Sequence, residues 1–92
     1  NTKIQKMKIY HILVKHEYEA KDILLKLKSA EQFADFAQKY SQCSSAKSGG
    51  DLGEFKPGRF VEAFEEACDI LALNQISKPV RTQFGWHIIL KK

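Results

Sequence analysis

Cysteine, long apolar runs and clustered charge are all scarce in this chain, and each scarcity narrows what it can be. There are two cysteines in 92 residues, Cys43 and Cys68. That is too few for a disulfide framework, and they lack the Cys-x-x-Cys spacing of a zinc site, although a single bridge between them stays open. No apolar run approaches the ~18 residues of a membrane span, so none is expected. No stretch joins basic residues, an apolar core and a small-residue cleavage site into a signal peptide. The chain begins at Asn1 and not at methionine, so this last absence says little about compartment. Nothing repeats and nothing is of low complexity. Basic residues outnumber acidic ones, 15 to 11, for a formal charge of +4, but they are scattered, with short clusters only at the two ends. A nucleic-acid partner would call for basic residues gathered on one element. The excess reads instead as a solubilising surface, mildly favouring acidic partners, with no nucleic acid expected.

What is present suffices for one globular domain. Hydrophobic residues make up 43% of the chain, with six Phe, three Tyr and one Trp among them. Ninety-two residues lie near the lower limit for a core that stands alone. Residues 1–7 read as a polar lead-in and 8–92 as the domain. Residues 8–15 alternate and are rich in β-branched side chains, which predicts a strand. Ile23, Leu24 and Leu27 fall at helical spacing within 19–28. Ser29-Ala30-Glu31-Gln32 matches a capping box, and Phe33, Phe36, Ala37 and Tyr40 then follow at i, i+3, i+4 and i+7, the clearest helical pattern in the chain. Ser41 to Gly50 reads as a loop. Leu52 to Phe55 reads as a short strand, closed by a turn at Pro57-Gly58. Val61, Phe64, Ala67 and Cys68 mark a third helix. Asn74 suits a left-handed turn, Ile76 to Arg81 an edge strand containing Pro79, and Trp86 to Leu90 the final strand. This order predicts an α+β domain with helices packed on a small antiparallel sheet.

Two histidines stand out against that frame. His11 lies in Ile9-Tyr10-His11-Ile12-Leu13-Val14-Lys15 and His87 in Phe84-Gly85-Trp86-His87-Ile88-Ile89-Leu90. A histidine in an apolar strand is costly unless its ring nitrogens are hydrogen-bonded. Two of them at opposite ends of the chain satisfy each other if their strands are neighbours. Their apolar surroundings predict depressed pKa values and neutral rings.

Four motifs in order, His11-Ile12-Leu13-Val14-Lys15, Gly50-Asp51-Leu52-Gly53-Glu54-Phe55, Phe60 to Phe64, and Phe84-Gly85-Trp86-His87-Ile88-Ile89, resemble the parvulin-type peptidyl-prolyl cis/trans isomerases over nearly the whole chain. The resemblance implies a four-stranded antiparallel sheet surrounded by about four helices. It implies an enzyme that speeds rotation about X-Pro bonds of unfolded or flexible polypeptides and so assists folding, with no metal and no cofactor. Residue by residue, it implies that Leu52, Phe60 and Phe64 line a proline pocket, with Gln83 and Phe84 on its rim. It places His11 and His87 on the family's paired histidines and Thr82 on a hydroxyl bonded near them. Cys43 falls at a position facing the substrate carbonyl. For each of these the plain alternative is ordinary core or loop. The histidine pair is read as an organiser of the site rather than a proton carrier.

One departure bears on substrate. Phosphate-specific parvulins carry an arginine cluster after the first strand, whereas here the stretch is His16-Glu17-Tyr18-Glu19-Ala20-Lys21. A phosphate clamp needs convergent donors, so a domain without phosphate specificity is expected, similar to the small prokaryotic parvulins. Nothing demands more than a monomer, and a cytoplasmic setting is expected, with an exported or cell-envelope protein as the alternative. A peptide-binding chaperone module with little turnover is the rival function. A Cys43–histidine hydrolase is a weaker rival, lacking an oxyanion-hole signature and a third orienting residue.

Overall fold

The alternation of Lys8 to Val14 becomes strand β1, but both of its faces are covered. Ile9, His11, Ile12 and Val14 are all buried. The computed structural model describes residues 8–54 and 58–92. In chain order the elements are β1 (Lys8–Val14), α1 (Glu17–Lys26), a 3-10 turn (Ala30–Gln32) running into α2 (Phe33–Tyr40), a second 3-10 turn (Ser44–Ser48), β2 (Asp51–Glu54), α3 (Glu62–Ile70), β3 (Val80–Thr82) and β4 (Gly85–Lys91). The sheet order is β2-β1-β4-β3, antiparallel throughout.

Successive side chains of a strand point to opposite faces, and this separates two cores. Ile12, Val14, Ile88 and Leu90 meet α1 and α2 through Ala20, Ile23, Leu27, Phe33 and Ala37. Ile9 and Ile89 meet α3 through Phe64, Cys68 and Leu71. His11 and His87 share a parity with Ile9 and Ile89, which puts both on the α3 side. Coverage of both faces explains why Ile88, Ile89 and Leu90 of β4 are consecutive apolar residues rather than alternating ones.

Local signals account for the boundaries. Gln32 Oε1 accepts the N–H groups of Lys28 and Ser29 at 2.8 and 3.2 Å, supplying one arm of the expected capping box. Asn74 is left-handed, with φ 67°. Pro79 has no N–H to give a ladder and stands just outside β3. The strand expected over Ile76 to Arg81 is therefore shorter, Val80–Thr82, with Ile76 making only an isolated bridge to Leu90. Among the described residues there are three α-helices, close to the expected about four, the loop after α2 holds a 3-10 turn, and Phe33 rather than Phe36 is the buried phenylalanine of α2. The lead-in expected over 1–7, and Phe55 and Pro57 of the expected strand and turn, lie outside the described residues.

Candidate active site

The register of β1 against β4 sets His11 opposite Ile89 and Leu13 opposite His87. The two histidines are thus diagonal neighbours on one face. Their Nδ1 atoms lie 3.0 Å apart, and the rings stack with centroids 5.2 Å apart. On the far side of His87, Nε2 lies 2.6 Å from Thr82 Oγ1, which also accepts the Phe84 N–H at 3.1 Å. A neutral imidazole has one donor and one acceptor, so the proton positions are linked along the row. If Thr82 donates to His87 Nε2, then His87 Nδ1–H donates to His11 Nδ1, and His11 carries its proton on Nε2. The reversed row is equally consistent. Either row requires that one of the two facing Nδ1 atoms be unprotonated, so both rings cannot be imidazolium at once. Burial pulls both pKa values from 6.5 down to about 4, with the neighbouring His87 adding to the effect at His11. Phe64 stands edge-on to both rings, at 5.8 and 5.2 Å between centroids.

Above this pair opens an apolar groove of about 360 Å³. Its wall includes His11, His87, Cys43, Leu52, Phe60, Phe64 and Phe84, all singled out from the sequence. Phe64 is also core, 2% exposed, whereas Phe84 stands 62% exposed on the rim. Thr82 reaches the site through His87. Gln83 does not join it: the residue is exposed in the β3–β4 turn and is not part of the groove wall, because the tight turn presents Phe84 instead. Leu13, Arg59 and Val61 also line the groove and went unread in the sequence. Strand parity could have offered Leu13, two residues on from His11.

Backbone geometry holds the wall in place. The Gly50 carbonyl accepts the His11 N–H at 2.9 Å. Gly50 has φ +85°, and a Cβ there would collide with the His11 carbonyl oxygen. Only glycine fits this approach, which gives the Gly50-Asp51 motif its physical content. Ser41 Oγ accepts the N–H groups of Leu13 and Cys43 at 3.0 and 3.4 Å, fixing the Cys43 loop against β1. Burial raises the Cys43 thiol pKa, but hydrogen bonding by Ser45 and Ser44 outweighs it and the net shift is downward. Among the described residues, no group of three His, Cys, Asp or Glu side chains is placed to hold a metal ion.

Known proteins share this fold. The family model of the rotamase, or PPIC-type PPIase, domain matches residues 11–92. The foldase protein PrsA of Geobacillus kaustophilus is 48% identical over 85 residues, covering 91% of this chain and 30% of its own length. The crystal structure of the peptidylprolyl isomerase PrsA from Bacillus anthracis superposes with a TM-score of 0.89 at 42% identity, over 95% of this chain and 41% of that one. A structure reported with the virulence factor PEB4 and the periplasmic protein Cj1289 of Campylobacter jejuni, two SurA-like chaperones, superposes with a TM-score of 0.88 at 36% identity, over 96% of this chain and 39% of that one. The chain thus spans about a third of the length of such relatives.

Proposed function

The chain belongs to the rotamase family of PPIC-type peptidyl-prolyl isomerases, and from that premise we propose which residues turn the X-Pro bond and in what setting. It is a peptidyl-prolyl cis/trans isomerase domain that assists protein folding, acting on proline-containing polypeptides. The barrier to be lowered is ~18–20 kcal/mol. The twisted amide has lost its resonance and is less charge-separated than either planar form. A dry, preformed groove therefore binds it better than it binds the planar substrate. Phe60, Phe64 and Leu52 hold the proline ring. Cys43 sets the local polarity by the carbonyl. The row Thr82–His87–His11 holds the floor rigid and neutral.

The observation that carries this reading is the buried, neutral histidine pair beneath an apolar groove, edge-on to Phe64. The test is exchange NMR on a short Ala-Pro peptide. Catalytic amounts of the domain should speed cis/trans exchange, with no change on adding a chelator. Binding without faster exchange would move the domain to the chaperone-module reading.

The relatives support one setting. A neighbour reported among two SurA-like chaperones, one of them named as periplasmic, and a foldase of about three times this length support the alternative of an exported or envelope chaperone over a cytoplasmic enzyme. No helix among the described residues is long and apolar enough to cross a membrane. The domain works as a monomeric unit on segments of unfolded chain, without phosphate specificity.

A further inference from the structure

Among the described residues that line the groove, Arg59 is the one lysine or arginine, and no aspartate or glutamate joins it. It lines the groove at the entry to α3, and both histidines that share the wall are uncharged at neutral pH. Among the described residues the guanidinium has no hydrogen-bond or ion-pair partner. The turn that carries it is nonetheless held. Glu65, half-buried on α3, accepts the Gly58 N–H at 2.6 Å and the Phe60 N–H at 3.1 Å through one carboxylate oxygen, Oε2. The backbone is thus gripped on either side of Arg59. Glu65 thus spends one carboxylate oxygen on the backbone of the turn, and Arg59 stays exposed at the groove.

We propose that the 58–60 turn is the specificity element of the groove, with Arg59 selecting X-Pro segments that carry a carboxylate beside the proline and Glu65 acting as the positioning residue that holds the turn. This rests on the reading of the groove as the isomerase site. The charge is single and exposed, so the selection is a modest one. Exposed pairs of opposite charge correspond to about a two- to fivefold preference.

Glu and Gln differ in charge and hardly in shape, so the ratio of kcat/KM for Glu-Pro over Gln-Pro peptides reads the charge alone. A parallel Pro-Glu and Pro-Gln series reads the other side of the ring. At low ionic strength the wild-type ratio should be about two to five in at least one series, falling towards one near ~1 M salt, where the screening length is ~3 Å. Arg59→Gln should bring the ratio to one whatever happens to the absolute rates, and Arg59→Lys should keep it above one. Glu65→Ala should lower the ratio and raise KM, and Glu65→Gln, which keeps an acceptor oxygen, should restore both. A wild-type ratio of one in both series, with Ala-Pro exchange still accelerated, overturns the selection and leaves the isomerase reading standing. An Arg59→Gln ratio equal to wild type overturns the role of Arg59. Failure to accelerate any X-Pro peptide overturns the isomerase reading and takes this inference with it.

Discussion

A neutral imidazole in an apolar strand needs partners for two nitrogens. His87 has both, while among the described residues His11 Nε2 is buried with none. Removing His87 strands His11 Nδ1 and takes from Thr82 Oγ1 one of its two partners, whereas removing His11 strands only His87 Nδ1. Each stranded buried group costs ~1–3 kcal/mol. Truncating His87 should therefore destabilise the domain more than truncating His11, as urea unfolding would read. His87→Asn should keep part of the activity. Complete loss of turnover in that variant, with melting temperature and peptide affinity unchanged, would make the ring a direct participant. The pH dependence follows from the same burial. Both rings have folded pKa values lowered to about 4, so between pH 6.5 and that value the unfolded chain binds protons that the folded rings refuse. Stability should then fall as pH drops through this window and level off below it. Isomerase activity should stay flat down to about pH 5. An activity midpoint near 6.5 would mean solvated, titrating rings. Cys43→Asp should remain partly active, because the proposed role is electrostatic; total loss with the fold intact would favour a thiolate acting directly. The need of two histidines for partners was legible from their apolar contexts, while Thr82 beside them came only from the family resemblance. Which nitrogen faces which was not legible, because that depends on strand register.

Helix periodicity marked a stripe on α2 without saying which line of it meets the sheet. Phe33 and Ala37 form one i, i+4 row and are buried. Phe36 and Tyr40 form the adjacent row and pack on each other at 5.8 Å, half-covered. Phe33→Ala should therefore cost ~3–5 kcal/mol, with Phe36→Ala clearly less, by chemical denaturation. Phe60 is a different kind of phenylalanine, half-buried and tilted against Phe64 at 5.0 Å. Phe60→Ala should lower kcat/KM about tenfold, a change of ~1.4 kcal/mol, with a smaller stability loss than Phe33→Ala. Equal destabilisation by the two would make Phe60 ordinary core. The β1–β2 junction makes its own demand. Gly50→Ala would drive a methyl into the His11 carbonyl at a positive φ and should cost more than about 2 kcal/mol. The Gly-Asp motif announced this junction, but nothing in the sequence told that Glu65 would clasp the 58–60 turn, since that contact depends on how α3 enters.

At the scale of the whole molecule, the first and last described strands are the two central ones, and Lys8 and Lys92 exchange both backbone hydrogen bonds, at 2.6 and 2.8 Å. The site therefore exists only once the ends of the domain have met, and its charge is decided by what surrounds that central pair. The connection from β1 to α1 is two residues, Lys15 and His16. The acids that follow are already helical: Glu19 Oε1 accepts the His16 N–H at 3.0 Å and Glu17 pairs with Lys21 at 3.6 Å. The sequence showed that this stretch has no arginine. It did not show that the stretch has no loop either, because Glu17 and Tyr18 carry no strong start signal. A phosphate clamp needs several donors converging on one dianion, and among the described residues the single lysine or arginine on the groove wall is Arg59. One exposed guanidinium favours phosphoserine and glutamate by similar small margins. Catalytic efficiency on phosphoSer-Pro should accordingly exceed that on Ala-Pro by less than about tenfold, which is ~1.4 kcal/mol. The excess should vanish with that for Glu-Pro in Arg59→Gln. A larger phosphate preference that survives the loss of Arg59 would require a second set of donors and would overturn the assignment of this domain as one without phosphate specificity.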